Sequence, residues 1–168
     1  VHTDLSPVIA ATAQWLTRSF PASGGALASA RCEAQARQAV TVAARLRYPT
    51  AMDAALLSLA GPGGSARLEW VTGADPDGDA DAHAWRTWVD EVVASWAACL
   101  LADPELASLA VSALGADTPA EFRRLLVPDE TDRRSAALLR HPDLLAPVVT
   151  LHQASLLTRL APDPTLAA

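Results

Sequence analysis

"HAWRTWVDEVVASWAACLL", residues 83–101, carries the clearest periodic pattern in the chain. At 100° per residue, Trp85, Trp88, Val89, Val92, Val93, Trp96, Cys99 and Leu100 share one stripe, and Arg86, Thr87, Asp90, Glu91 and Ser95 take the other side. The pattern predicts one amphipathic helix over 83–101, with Trp85 and Trp96 on its buried line. Trp88 lies at the margin of the stripe, about 60° from Trp85, and is the tryptophan of the three placed to meet a ligand or partner. Such a stripe needs apolar faces around it, so the flanking segments decide the fold.

Those segments read as helices with legible ends. Ser6-Pro7 opens a helix to Phe20 that places Val8, Ile9, Thr12, Trp15, Leu16 and Phe20 on one face. After "PASGG", an Ala-rich helix runs from about Ala26 to Arg47 and closes at Tyr48-Pro49. Thr50 with Asp53 forms a weakened capping box for a short helix that stops at "GPGG". "SARLEWVTG", 65–73, is the only segment with an alternating pattern; without a partner strand it reads as irregular chain pinned by Trp70. Asp103-Pro104 starts a helix that closes at Gly115, and Thr118-Pro119-Ala120-Glu121 reads as a full capping box. Asp129 or Thr131 starts another helix through Arg140, and the last runs from about Asp143 to Leu160. The expectation is an all-α fold, an irregular bundle of about six or seven helices with little or no sheet. It forms a single helical domain over 1–168, with the helices at 83–101 and 143–160 central and an acidic Pro/Gly/Asp loop at about 72–82.

Composition narrows the function. At 168 residues the chain buries a core without metals or disulfides, and half of it is apolar with alanine prominent. All thirteen basic residues are arginine, and the net charge of −6 is the wrong sign for general affinity to nucleic acid or an anionic membrane. Cys32 and Cys99 sit in apolar helical contexts without metal or redox spacing, so both read as reduced core residues. "VHTDLSPVIAATAQWL" has no basic leader, and no stretch approaches a membrane span; the expected compartment is the cytoplasm.

Three groups of side chains are candidates for chemistry. In the acidic loop, Asp75, Asp77, Asp79 and Asp81 fall at every second position and His83 continues the series, a spacing that gathers oxygen ligands in calcium loops. Counted from Asp75, however, glycine comes at position four and Arg86 at twelve, where an EF-hand needs glycine at six and glutamate at twelve. The favoured reading is a turn whose aspartates cap the next helix, and no cofactor is expected. In the final helix, His152, Ser155 and Arg159 lie within an apolar face of Leu144, Leu145, Val148, Val149, Leu156 and Leu160. Polar groups there need partners, which a bonded core, a small pocket or a subunit interface would supply. The third group is Arg134 and His141, separated by six residues, with the helix expected to run through Arg140. Their spacing resembles the Arg-x(4–6)-His arrangement of the all-helical HEPN ribonucleases, where arginine and histidine act on the scissile phosphate; eight residues carry the likeness.

No nucleophile elbow, phosphate loop, zinc-protease or di-iron motif is present. The Arg-rich run at 122–140 alternates with Glu121, Asp129, Glu130 and Asp132, as a salt-bridged surface does. The sequence therefore points first to a non-enzymatic helical interaction or regulatory protein whose partner is another protein or a second copy of itself. The second reading is a small-molecule pocket around His152, Ser155, Arg159 and tryptophans, in a ligand sensor or small biosynthetic enzyme; the third is the ribonuclease.

Overall fold

A computed structural model describes residues 4–73, 81–115 and 119–162, without the side chains of 81–83. Nine α-helices and one 3-10 helix form among the described residues, and no strand does. The α-helices are α1 (Ser6–Ser19), α2 (Gly25–Arg47), α3 (Ala51–Ala60), α4 (Ala66–Thr72), α5 (Glu91–Ala102), α6 (Pro104–Ala113), α7 (Arg123–Leu126), α8 (Glu130–Ser135) and α9 (Pro142–Leu160). The 3-10 helix spans Asp81–Trp88. The all-α expectation holds, and seven of the α-helices have seven residues or more.

α5 is the hub, packed between α2 and α9, while α1 lies on α2 and α4 on α9. Every residue from Val93 to Leu101 is buried, so α5 has no solvent side over that stretch. Alanine makes this possible: Ala36, Ala39, Ala43 and Ala44 on α2 and Ala94, Ala97 and Ala98 on α5 are buried to within 1% and let the axes approach closely. α2 is as central as α5, a role its weak apolar periodicity does not announce.

The expected 83–101 helix is in fact two pieces. The 3-10 turn ends at Trp88, Val89 and Asp90 link, and α5 begins at Glu91. Asp90 causes the break. Its Oδ1 accepts the Val93 N–H at 3.0 Å as an N-cap, and its Oδ2 accepts the Tyr48 hydroxyl. Its own N–H donates to Thr12 Oγ1 at 3.1 Å. The cap satisfies an N–H that a helix starting at Glu91 leaves without an intrahelical carbonyl. Asp90 and Ser95, assigned to the outer side, are therefore buried, and Trp85 and Trp96 do not share one helical line. Trp85 and Trp88 are half-buried.

Elsewhere the local chemistry is mostly as expected. Thr50 and Asp53 form a complete capping box, Asp103 caps α6 through the Glu105 and Leu106 N–H groups, and Asp129 and Asp132 box α8. Three expectations fail and a fourth, the Thr118 capping box, lies partly outside the described residues. Ser6 is the first residue of α1 and not its cap; its N–H donates to Asp4 Oδ1. Residues 66–72 are helical, with Leu68 buried and Trp70 pinning nothing at 82% exposure. Thr118 lies outside the described residues, and Glu121 sits in a turn, paired with Arg45 at 3.1 Å. α8 stops at Ser135, and a turn over 136–140 separates it from α9.

That turn delivers Arg140 into the structure. Its Nε and Nη2 donate to Gln35 Oε1 at 3.0 and 2.9 Å, Nη2 donates to the Arg124 carbonyl at 2.7 Å, and Nη1 reaches the Leu125 and Leu101 carbonyls. Gln35, fully buried, donates in turn to the Asp132 carbonyl at 2.7 Å. One guanidinium thus ties α2, α5 and α7, and Gln35 extends the network to α8, by satisfying carbonyls that helix ends and short helices leave open. Desolvation pulls its pKa down to about 10, so it stays charged at neutral pH.

Cys32 and Cys99 are buried free thiols, and desolvation pushes each pKa up to about 11. Because the folded chain holds these protons more tightly, their stabilising contribution is complete below the ordinary thiol range. It is lost as pH rises through about 11, so stability falls across that window. At neutral pH the native protein should resist iodoacetamide, with both cysteines alkylated only after unfolding in urea. Alkylation of the native protein at the rate of a free thiol would contradict this burial. No helix among the described residues is long and apolar enough to cross a membrane.

Candidate functional site

The polar residues of the final helix meet a defect in its backbone. At His152 the chain leaves helical geometry (φ −138°, ψ 16°), which splits α9 where continuous helix is expected. A broken turn strands backbone donors and acceptors, which must be paired when buried. α5 supplies the partners. Ser95 Oγ accepts the His152 N–H at 3.0 Å and donates to the Val149 carbonyl at 3.2 Å, which also receives the Cys99 thiol. Trp96 Nε1–H is shared between the His152 carbonyl at 3.2 Å and Ser155 Oγ at 3.0 Å, and Ser155 itself donates to that carbonyl at 2.7 Å.

The His152 ring turns away from this seam. Its Nε2 lies 2.6 Å from Glu91 Oε1, and the same carboxylate oxygen takes Arg67 at 3.2 Å. About a quarter of each of the His152 and Glu91 side chains is exposed, so this is an edge cluster linking α4, α5 and α9. His152, Ser155 and Arg159 do not line one pocket. Ser155 is exposed and bonded at the seam, while Arg159 Nε donates to the Leu46 carbonyl at 3.1 Å, beside a separate cleft of about 330 Å³. Leu145, Val148 and Leu156 form the buried side of α9, whereas Leu144 and Leu157, at 43% and 51%, face outward.

Arg134 and His141 are not on one helix. Arg134 is on α8, exposed and paired with Glu130; His141 is the exposed N-cap position of α9. Of the acidic-loop candidates, Asp75, Asp77 and Asp79 lie outside the described residues, as do the side chains of Asp81 and His83. Among the described residues no group of three metal-ligating side chains comes together.

The largest unexplained feature is on α3. "AMDAALLSLA" has apolar residues on both sides: Ala54 and Leu57 are buried, and Met52, Leu56 and Leu59 lie opposite at 68%, 57% and 86% exposure. Their i, i+4, i+7 spacing makes one stripe along the helix. Asp53, the one charged side chain of α3, is occupied in the capping box with Thr50. At the C-terminal end of the stripe, Leu59 borders a groove of about 450 Å³ with Trp88 and Thr87 on its other wall. Gly64 also lines it with φ at +87°, a left-handed backbone conformation that favours glycine; a Cβ there would make only ordinary contact with the Arg86 carbonyl oxygen.

Trp88 lines the groove, but the burial that was to set it apart from Trp85 does not: both are half-buried. The α3 stripe was not singled out, although a ten-residue helix with only Asp53 and Ser58 polar announces two apolar faces where a surface helix buries one. No protein-family model, no curated protein and no solved structure matches this chain.

Proposed function

We propose that this chain is a helical interaction protein that pairs with a second copy of itself through the exposed face of α3. The observation that carries this reading is the stripe of Met52, Leu56 and Leu59. Large apolar side chains aligned on one exposed helix face mark association surfaces, whereas scattered ones need no explanation. The absence of charge on the stripe favours self-pairing. Across a two-fold axis each residue meets its own copy or a near neighbour, so a charged face would repel itself, and this chain carries −6 overall. On α3 the stripe escapes that cost. The adjoining groove with Trp88 extends the surface, which matters because a stable interface buries about 1,200–2,000 Å² and one short helix supplies only part of it.

The pocket reading loses its basis because Ser155 and Arg159 are committed to other parts of the protein, and His152 to Glu91. The ribonuclease reading needs Arg134 and His141 on one helix face, and the turn at 136–140 intervenes.

Sedimentation velocity over a concentration series tests the proposal. Wild type should show a monomer–dimer equilibrium with a micromolar-range constant. Leu56→Glu and Leu59→Glu place a carboxylate in the contact and should weaken it by about a hundredfold or more, with unfolding free energy within about 0.5 kcal/mol of wild type because both positions are exposed. A monomer at every concentration, or a dimer indifferent to both changes, would defeat it.

A further inference from the structure

We infer that the cleft between α2 and the α7–α8 connection is a binding site for a phosphate group carried on a small molecule. The cleft has a volume of about 410 Å³ and is lined by Arg31 and Gln38 of α2, by Arg123 and Arg124 of α7, and by Asp129 and Asp132. Three guanidinium groups face two carboxylates, and the carboxylates are largely committed. Asp129 caps α8 through the Asp132 N–H at 2.7 Å, and Asp132 Oδ1 holds Arg124. Arg31 Nη1 lies 3.6 Å from the same oxygen, within ion-pair range but beyond a hydrogen bond, and Arg123 has no carboxylate partner among the described residues. A guanidinium offers five N–H donors, so most of the donor capacity on these walls is unspent within the described structure.

Arg140, bonded to the carbonyl of the cleft residue Arg124, adds a further positive charge nearby. It bonds the Arg124 and Leu125 carbonyls and Gln35, and no carboxylate lies within ion-pair distance of it among the described residues. A concave, locally positive site in a chain of net charge −6 is an attractor for anions that the overall field otherwise repels. A planar carboxylate is satisfied by one arginine fork, whereas guanidinium groups on two walls match the several oxygens and double charge of a phosphate. The space exceeds what bare phosphate needs and falls in the range of small-molecule sites. The site shares no residue with the α3 face, so it stands or falls independently of self-pairing.

The test is a titration at constant ionic strength, followed through the arginine Nε–H and backbone amide signals by NMR, with inorganic phosphate, ribose 5-phosphate, acetate and chloride as separate probes. Saturable shifts confined to the cleft are expected with both phosphates at millimolar concentration, and tighter binding of ribose 5-phosphate supports a phosphorylated small molecule as the natural ligand. Equal or tighter binding of inorganic phosphate would overturn the small-molecule part and leave a site for the free ion. Arg123→Gln should weaken phosphate binding about ten-fold, whereas Arg134→Gln, on the exposed side of α8, should leave it unchanged. Absence of saturable shifts, an equal response to acetate or chloride, or indifference to Arg123→Gln would overturn the site.

Discussion

Trp96→Ala should leave little folded protein. The indole is 97% buried at the centre of α5, where the helix packs against α2 and α9. Removing a buried tryptophan side chain costs about 3–5 kcal/mol, against a total of about 5–15 kcal/mol for a domain of this kind. Here the loss also removes a donor. Trp96 Nε1–H bridges the His152 carbonyl and Ser155 Oγ at the break in α9, so both apolar packing and the repair of the break are damaged together. Trp96→Phe separates the two contributions: it keeps most of the ring and deletes the N–H. Because Ser155 still donates to the His152 carbonyl, that variant should lose only about 1 kcal/mol beyond the difference in ring size. Urea titration followed by circular dichroism measures both. A Trp96→Ala protein within about 1 kcal/mol of wild type would mean that α5 is not the hub.

Arg140→Ala should be the second most damaging single change, at about 3 kcal/mol. The side chain answers the carbonyls of Leu101, Arg124 and Leu125 and the Oε1 of fully buried Gln35. Each acceptor left unpaired in a buried position costs about 1–3 kcal/mol, offset where water can enter from the partly exposed side. Arg140→Lys should recover little, since one ammonium cannot span acceptors contributed by three helices. Arg140→Met restores the volume without the donors and should also be destabilised. The readout is a lowered midpoint in urea at unchanged slope. If Arg140→Met were as stable as wild type, the network would carry no stability.

These two residues show how far the sequence could be read. Trp96 was legible because apolar spacing on a helix reports burial directly. Helix ends were legible at Thr50/Asp53, Asp103 and Asp129, where the cap is a local interaction between residues three apart. Arg140 was not, since its partners are Gln35, 105 residues away on α2, and carbonyls of α5 and α7, and no local pattern encodes such contacts. Asp90 and Ser95 misled for a related reason. Polar residues in an amphipathic pattern read as a solvent face, but one breaks the helix by capping and the other fills a gap left by a distant helix. At the candidate site, the polar trio of His152, Ser155 and Arg159 was visible as a spacing on a straight helix. The kink at His152 and the separate partners of the three residues were not: His152 meets Glu91, Ser155 meets Trp96 and Arg159 meets the Leu46 carbonyl.

The α3 face carries the functional reading, and it can be located in space. Ala55, on the flank of the exposed stripe, is changed to cysteine and spin-labelled; burial of Cys32 and Cys99 directs the label to the new thiol. Pulsed electron resonance then measures label-to-label distances in the associated protein. Two α3 helices packed across a two-fold axis lie about 8–10 Å apart, so with the label arms a narrow distribution at roughly 15–25 Å is expected, and Leu59→Glu should abolish it. Dimers that sediment as such but show no dipolar signal in that range would place the contact elsewhere and contradict the assignment of α3.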